Sequence, residues 1–326
     1  MALVNTGDND ERVRVVILHY NQPSMTAKCV AYVDNQTYAP LDVVVVDNAS
    51  TPENYESLSG LLPPHVTLVR NPANLGYAAG NNVGIRLSGT LAPSVYTMIL
   101  NGDAYLTEPA TLARLIDALR HDRERVAATP LVNTGPSRLL PERQVQVCRA
   151  SSFLGFLVAY SWWLRMMPFL KGVADHHFYR ERMPYALGRE YDCDTVHGCC
   201  FVIRTEFFES IGWFDEGTFL YFEEMILARQ IKESGKKCCL VTSVVVEHVG
   251  GAAARKRSLR AAIRTQAASI RSQLYFLRKY LRVGLAGRVL LVIVRIIGFT
   301  GKELYEALRA AARIQDNTAN DPRKGS

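Results

Sequence analysis

The hydrophobic positions of this chain fall into two regimes. Through the first hundred residues, short runs rich in Val and Ile alternate with stretches of mixed polarity. VRVVILHYN (13–21) and LDVVVVDNAST (41–51) are apolar at successive positions rather than at every second one, the pattern of strands buried on both faces. HVTLVR and SVYTMILNGDAYL supply a third and a fourth strand. Between them, SMTAKCVAYVDNQ has a helical pattern, and NLGYAAGNNVGIRLS reads as a Gly/Asn-rich loop running into a helix. Strands alternating with helices predict an α/β fold, a mostly parallel sheet flanked by helices. From 191 to 251 the pattern gives a strand, a short helix, a turn, a helix and a last strand ending at His248.

The second regime is helical. Residues 151–170, SSFLGFLVAYSWWLRMMPFL, are apolar with the pair Trp162-Trp163, but Arg165 and Pro168 interrupt them, so a membrane-spanning helix is not expected. A core helix, an acceptor-side loop and a lipid-touching surface all fit this stretch. Beyond 255 the chain reads as helices with apolar stripes and Arg or Lys between them. The expected organisation is an N-terminal tail (1–12), an α/β domain (13–254, divided at 106/107), a basic amphipathic helical region (255–314) and a disordered tail (315–326).

Within the helix FLYFEEMILARQ (219–230) an irregularity stands out. Glu223 and Glu224 are adjacent in an otherwise apolar pattern. Adjacent helical residues do not share a face, so one carboxylate must point toward the side that packs inward.

Composition changes the picture mainly through charge. The 326 residues are 48% hydrophobic, ordinary for a globular protein, with a net charge of +7. The excess is concentrated: eleven Arg or Lys lie between Arg255 and Arg295 with no Asp or Glu among them. That asymmetry calls for a negatively charged partner such as anionic lipid, nucleic acid or phosphate. Nucleic acid is not expected, because no recognisable motif or interleaved stacking aromatics accompany the charge. Seven cysteines without a spaced framework argue for reduced thiols, and the polar, acidic start has no signal-peptide apolar stretch, so a cytoplasmic setting is expected.

Candidate chemistry gathers at strand ends. In parallel α/β sheets ligands bind beyond the carboxyl ends of the strands. Those ends carry Tyr20-Asn21, Asp47-Asn48 and Asn101-Gly102-Asp103. Turns favour such residues in any case, but three converging ends point to a ligand.

The ordered blocks HYN, VVVVDNAST, NLGYAAGNNVGI, ILNGDAYL, GCCFVIRTEFFESIGWFDEGTFLYFEE and VVVEHVGG resemble glycosyltransferase family 2, most of all bacterial rhamnosyltransferase-like enzymes, over about residues 13–251. The resemblance implies a GT-A fold, a nucleotide-sugar donor such as a dTDP- or UDP-sugar, a divalent metal (Mg2+ or Mn2+), and inversion at the anomeric carbon. It assigns Asp103 and His248 to the metal and diphosphate. Asp47 is implied as the acid that meets the pyrimidine N–H, with Tyr20 and Asn21 lining the same pocket. Asn74, Gly80 and Asn81 belong to a loop facing ribose or phosphate, and Asn101 to the metal turn. Glu224 matches the base that deprotonates the acceptor hydroxyl; Glu223 and Trp213 are expected on the acceptor side. The chain departs from the family pattern in three places: one acid at the metal turn where two are common, Glu224 where many members have Asp, and Ile226 where a further Asp is frequent. Those reduced acidic motifs motivate an alternative, a non-catalytic nucleotide-sugar-binding or scaffold protein on the same fold.

The implied acceptor is a glycan or lipid-linked hydroxyl in bacterial surface polysaccharide synthesis. With it goes peripheral contact of the basic helices with the inner face of the cell membrane. Those helices could equally pack on the catalytic domain or pair two copies of the chain.

Overall fold

The computed structural model describes residues 11–87, 91–134, 140–150, 152–249 and 259–319, with side chains described through Lys302. The first four long strands lie where the apolar runs put them: β1 (Val13–His19), β2 (Leu41–Asp47), β3 (Thr67–Arg70) and β4 (Tyr96–Asn101). They pair in parallel in the order β3-β2-β1-β4. Their crossovers are α1 (Pro23–Asp34), α2 (Pro52–Leu61) and α3 (Gly76–Ile85). Both faces of β1, β2 and β4 are buried, one among Val15, Ile17, Val45 and Met98, the other among Val16, Val44, Val46 and Ile99. This is why the runs show no alternation.

The rest of the sheet is mixed, which corrects the mostly parallel expectation for this half. Short β5 (Ala104–Tyr105) is followed by α4 (Thr111–Arg120), β6 (Arg125–Asn133), β7 (Glu190–Cys193) and β8 (Cys200–Arg204). Strand β9 is Lys237–His248. Strand β8 runs antiparallel between β4 and β6, while β9 is parallel to β6. Because β8 is reversed, its first residues lie at the edge where β4 and β9 end. Strand β5 pairs with the end of β9, setting Ala104 opposite His248.

Short helices α5 (Phe153–Ala159), α6 (Trp162–Arg165) and α7 (Lys171–His177) precede β7. Helices α8 (Thr205–Ser210) and α9 (Glu223–Glu233) follow β8. The C-terminal α10 (Leu259–Lys279) and α11 (Leu285–Ala319) are not a detached appendage. Phe276, Leu277, Leu291 and Val294 enter a third core with Phe156, Leu157, Phe222, Met225 and Ile226. The indoles of Trp162 and Trp163 donate to the Gly298 and Val294 carbonyls. Helix α11 continues to Ala319, past the boundary expected at 314. Among the described residues no helix is long and apolar enough to cross a membrane.

Candidate active site

The site is assembled along one edge of the sheet. At the end of β4 the chain turns through Asn101-Gly102-Asp103, and Asp103 Oδ1 lies 3.2 Å from His248 Nε2 at the end of β9. Sequence separation is large, but the β5–β9 ladder and a bond from Val249 N–H to the Asp103 carbonyl hold the two ends together. A carboxylate oxygen and an imidazole nitrogen at this spacing suit a divalent cation. No cluster of three or more His, Cys, Asp or Glu side chains fit for a metal occurs among the described residues. Diphosphate oxygens and water would complete a coordination shell of hard oxygen ligands.

The acid pair stands at the start of α9. Phe222, the residue before it, and Tyr221 both have left-handed backbone (φ 77° and 70°), and no side chain caps the helix. Glu223 is buried, and its Oε1 has no hydrogen-bond partner. Burial, then the neighbouring Glu224 charge, pushes its proton affinity up to about pKa 8. Glu224 is half-buried and its proton affinity is also raised by burial. Backbone N–H groups of the first helical turn favour the ionised forms and oppose these shifts. The two neighbouring carboxyls differ in exposure: Glu223 is buried and holds its proton up to about pH 8, whereas Glu224 is the more exposed of the pair.

Residues 197–199, ahead of β8, join the two groups. The His197 ring lies edge-on to that of His248, 6.3 Å between centroids. A Cβ added to Gly198 would come within 3.8 Å of Glu224 Oε2. The Cys199 carbonyl accepts from Asn101 N–H. Beneath them the Tyr77 hydroxyl donates to the Gly198 carbonyl, and burial followed by the Glu223 charge holds that phenol strongly protonated. Sequence reasoning assigned roles to neither His197 nor Tyr77. The available signal was a histidine at a strand entrance and an aromatic inside the Gly/Asn block.

Several residues expected at the nucleotide are engaged in contacts within the fold. Asp47 is fully buried; its Oδ1 accepts from Ser50 N–H and its Oδ2 faces Arg70 Nε at 3.4 Å. It therefore shapes the turn after β2 rather than opening onto the cleft. Gly80 and Asn81 lie inside α3, not in the loop. Gly80 abuts Leu18 and Asn48, and the fully buried Asn81 donates to the Tyr77 carbonyl. Their role is close helix-to-strand packing. Asn74 is exposed, with its side-chain oxygen accepting from Asn48 and Gly76 N–H. Asn21 has left-handed backbone, φ 55°, and is bonded to Thr51, Asn54 and Ser50. Tyr20 is exposed at the edge and Asn101 half-buried beside the metal turn. Trp213 is misplaced by the sequence reading. It packs on Phe208 and lines a cavity with Arg14 at the start of β1 and Ser94 ahead of β4, at the opposite edge of the sheet from the acids.

Ile226, the departure from the family's acidic pattern, is buried against Phe222 and the C-terminal helices. An unpaired carboxylate in that core would be very costly. The C-terminal packing therefore accounts for the apolar residue. All seven cysteines are free and buried, and burial raises their thiol proton affinity, so they are unreactive packing groups. Gly250 and Gly251, also expected near the phosphates, lie outside the described residues.

With this geometry in place, comparison with known proteins is informative. The model of the family described as glycosyl transferase family 2 matches residues 14–212. The chain belongs to glycosyl transferase family 2. A relative in Mycobacterium tuberculosis, named N-acetylglucosaminyl-diphospho-decaprenol L-rhamnosyltransferase, is 24% identical over 242 residues, 72% of this chain and 75% of its own length. A low-salt glycan biosynthesis hexosyltransferase of Haloferax volcanii is 25% identical over 184 residues, 56% of this chain and 51% of its own. The mannosyltransferase PcManGT of Pyrobaculum calidifontis, solved with GDP-Man and Mn2+, superposes with a TM-score of 0.53 at 17% identity, over 94% of this chain and 79% of its own. GalNAc-T7, solved with UDP, GalNAc and Mn2+, gives a TM-score of 0.52 at 20% identity over 73% of this chain, which spans 43% of that protein. The family 2 chain is thus a glycosyltransferase of GT-A fold.

Proposed function

We propose that this family 2 enzyme is an inverting, non-processive transferase that moves a sugar, rhamnose being the first candidate, from a dTDP- or UDP-sugar to a hydroxyl of a lipid-linked or glycan acceptor. The observation that carries the reading is the 197–199 bridge, which sets Glu224 along the same cleft edge as the Asp103–His248 pair. An alcohol is a weak nucleophile at neutral pH. Glu224 takes its proton as the oxygen bonds to the anomeric carbon and the bond to the diphosphate breaks. Attack from the face opposite the leaving group inverts that carbon. Asp103 and His248 would hold Mg2+ or Mn2+, which when bound offsets the charge of the departing diphosphate; the imidazole favours Mn2+. Buried Glu223, protonated at neutral pH, keeps a second negative charge away from the base. The rhamnosyl donor and lipid-linked acceptor are supported by the name of the mycobacterial relative.

The decisive experiment is Glu224→Gln assayed for transfer and, separately, for thermal stabilisation by nucleotide sugar with Mn2+. Transfer should fall about 10²- to 10⁴-fold while stabilisation by donor persists. Full activity of the variant sinks Glu224 as base. Donor binding by the wild type, with no turnover on any lipid-linked acceptor, would favour the non-catalytic alternative.

An exposed apolar stripe on α11 supports the lipid-linked acceptor. On α11 Val289, Leu290, Ile293, Ile296 and Ile297 are exposed along one face while Leu291 and Val294 are buried on the other. Arg282 and Lys302, both exposed, flank the stripe, and no acidic residue lies between them. An apolar face rimmed by cations fits an anionic bilayer surface, each cation contributing about 1 kcal/mol near it. Co-sedimentation with vesicles containing phosphatidylglycerol should drop sharply in Ile293→Asp. Unchanged sedimentation, or a concentration-dependent dimer abolished by that substitution, rejects the bilayer as occupant.

A further inference from the structure

The segment 214–222, which delivers the acid pair, is gripped from two sides. On one side is α3. Asn82 bonds the Phe214 backbone at both its N–H and its carbonyl, and also the Glu216 carboxylate, which Arg86 pairs at 2.9 Å. Tyr77 N–H donates to the Phe219 carbonyl at 2.8 Å, and Gly76, at φ +82°, has no room for a Cβ against that same carbonyl.

On the other side is α10, which lies outside the stretch matched by the family model. Asp215, its side chain only 9% exposed, accepts from Tyr275 at 2.8 Å, from Lys279 at 2.7 Å and from the Tyr280 hydroxyl, besides Gly217 N–H at 2.9 Å. The Tyr275 ring fills the space a side chain at position 217 would need. One turn earlier Ser272 donates to the Leu220 carbonyl at 2.9 Å. Phe276 packs against Phe222, 6.1 Å between ring centroids.

These contacts end where backbone strain begins. Tyr221 and Phe222 are non-glycine residues in the left-handed region, an arrangement that persists only when its surroundings impose it. Left free, the two residues would relax and rotate the first turn of α9, carrying both carboxylates with it. A displacement of about 1 Å at a reacting group can cost about 100-fold in rate.

We propose that α10 is a positioning element of the active site: Ser272, Tyr275, Lys279 and Tyr280 hold segment 215–222 so that Glu224 is presented to the acceptor, while α3 holds the same segment from the donor side. None of the four touches the reacting atoms. The C-terminal helices, in addition to any membrane role, complete the catalytic domain. The inference rests on Glu224 being the base.

The test uses the full chain. Ser272→Ala, Lys279→Met and the double variant Tyr275→Phe/Tyr280→Phe each remove hydrogen bonds while leaving the packing volume in place. Turnover at saturating donor and acceptor should fall about 10- to 100-fold in the double variant and less in the single ones. Donor affinity, read by Mn2+-dependent thermal shift, should stay within about twofold, and Ser272→Thr, which keeps the hydroxyl, should restore turnover lost in Ser272→Ala. A purely structural role predicts a lower melting temperature with wild-type turnover below it, and that result overturns the proposal. Equal loss of turnover in Ser272→Thr and Ser272→Ala overturns it as well. Lys279 is half-exposed, so Lys279→Met folds even if the double variant does not. Wild-type turnover in all three variants alongside an inactive Glu224→Gln would reject the clamp and leave the base assignment standing. A fully active Glu224→Gln would reject the base assignment first.

Discussion

The two halves of the cleft edge are built on opposite principles. On the donor side, polar residues are mostly bonded to one another, with Asp47 Oδ2 and Asn81 Oδ1 among the buried exceptions in the described residues. Asn48 gives its amide hydrogens to Asn74 and the Gly76 carbonyl, and its oxygen accepts from Asn71 and Leu75 N–H. Asn21 bridges Thr51 and Asn54, and Asp47 is spent on Ser50 and Arg70. On the acceptor side, groups are left wanting. Glu223 Oε1 is buried without a partner, both glutamates hold protons more tightly than usual, and the backbone ahead of them is strained. Satisfied polar groups make a rigid frame; unsatisfied and perturbed ones mark where chemistry is done. The contrast predicts that removing the polar function on the two sides should shift stability in opposite directions.

The largest expected effect is the loss of transfer in Glu224→Gln, about 10²- to 10⁴-fold, with the protein at least as stable as before. Next comes Glu223. Its folded proton affinity is raised, from the ordinary 4.5 to about 8. Below pH 4.5 the group is protonated whether folded or unfolded and costs nothing. As pH rises, the unfolded chain ionises first, so stability is lost progressively from about 4.5 to about 8 and stays lost above. Glu223→Gln should therefore melt like the wild type at pH 4 and be more stable at pH 8 to 9, by up to about 4 kcal/mol. Parallel melting curves across that range would show that Glu223 is not held protonated. Turnover should also fall on the acid side as Glu224 takes up its proton, at a pH above the usual carboxylate range.

The contrast also explains what the sequence made legible. Strands β1, β2 and β4 are double-faced apolar runs that match no other element, and their polar ends are local, so the Asn101-Gly102-Asp103 turn and the edge at Tyr20 and Asn21 are legible from the chain alone. The adjacent glutamates announced themselves because the helix period forces one of them inward. Other features depended on tertiary contacts. Strand β6 (RVAATPLVN) contains Pro130 and follows a charged helix, so its run was overlooked. The reversal of β8 has no signature in its own residues. Trp213 sits in one of the blocks that carry the resemblance, yet the left-handed backbone at Trp213 (φ 69°) and the packing on Phe208 send it to the far edge. Gly80 and Asn81 read as loop because Gly and Asn favour loops, whereas tight packing of α3 on β1 and β2 outweighs that propensity. Asp215 attracted no role because its partners lie about sixty residues away, on a helix that resembles a surface appendage.

The smallest of these effects is on the donor side, and it should carry the opposite sign to Glu223→Gln. Asn48 is 3% exposed and makes four hydrogen bonds, two to backbone and two to side chains. Asn48→Ala leaves the Gly76 carbonyl, Leu75 N–H and parts of Asn71 and Asn74 to find water or remain unpaired, a penalty of about 1–3 kcal/mol. Nothing in that network titrates, so the loss should be the same at pH 5 and pH 8, unlike the pH-dependent gain at Glu223. Its functional consequence should also differ in kind. The released segment 71–76 carries Gly76, which supports Phe219, so donor affinity should weaken by a few-fold while turnover at saturating donor is largely kept. If Asn48→Ala instead reduced turnover at saturation as strongly as it weakened donor binding, the frame and the acid pair would be one cooperative unit. The division between a mostly bonded donor side and a strained acceptor side would then fail.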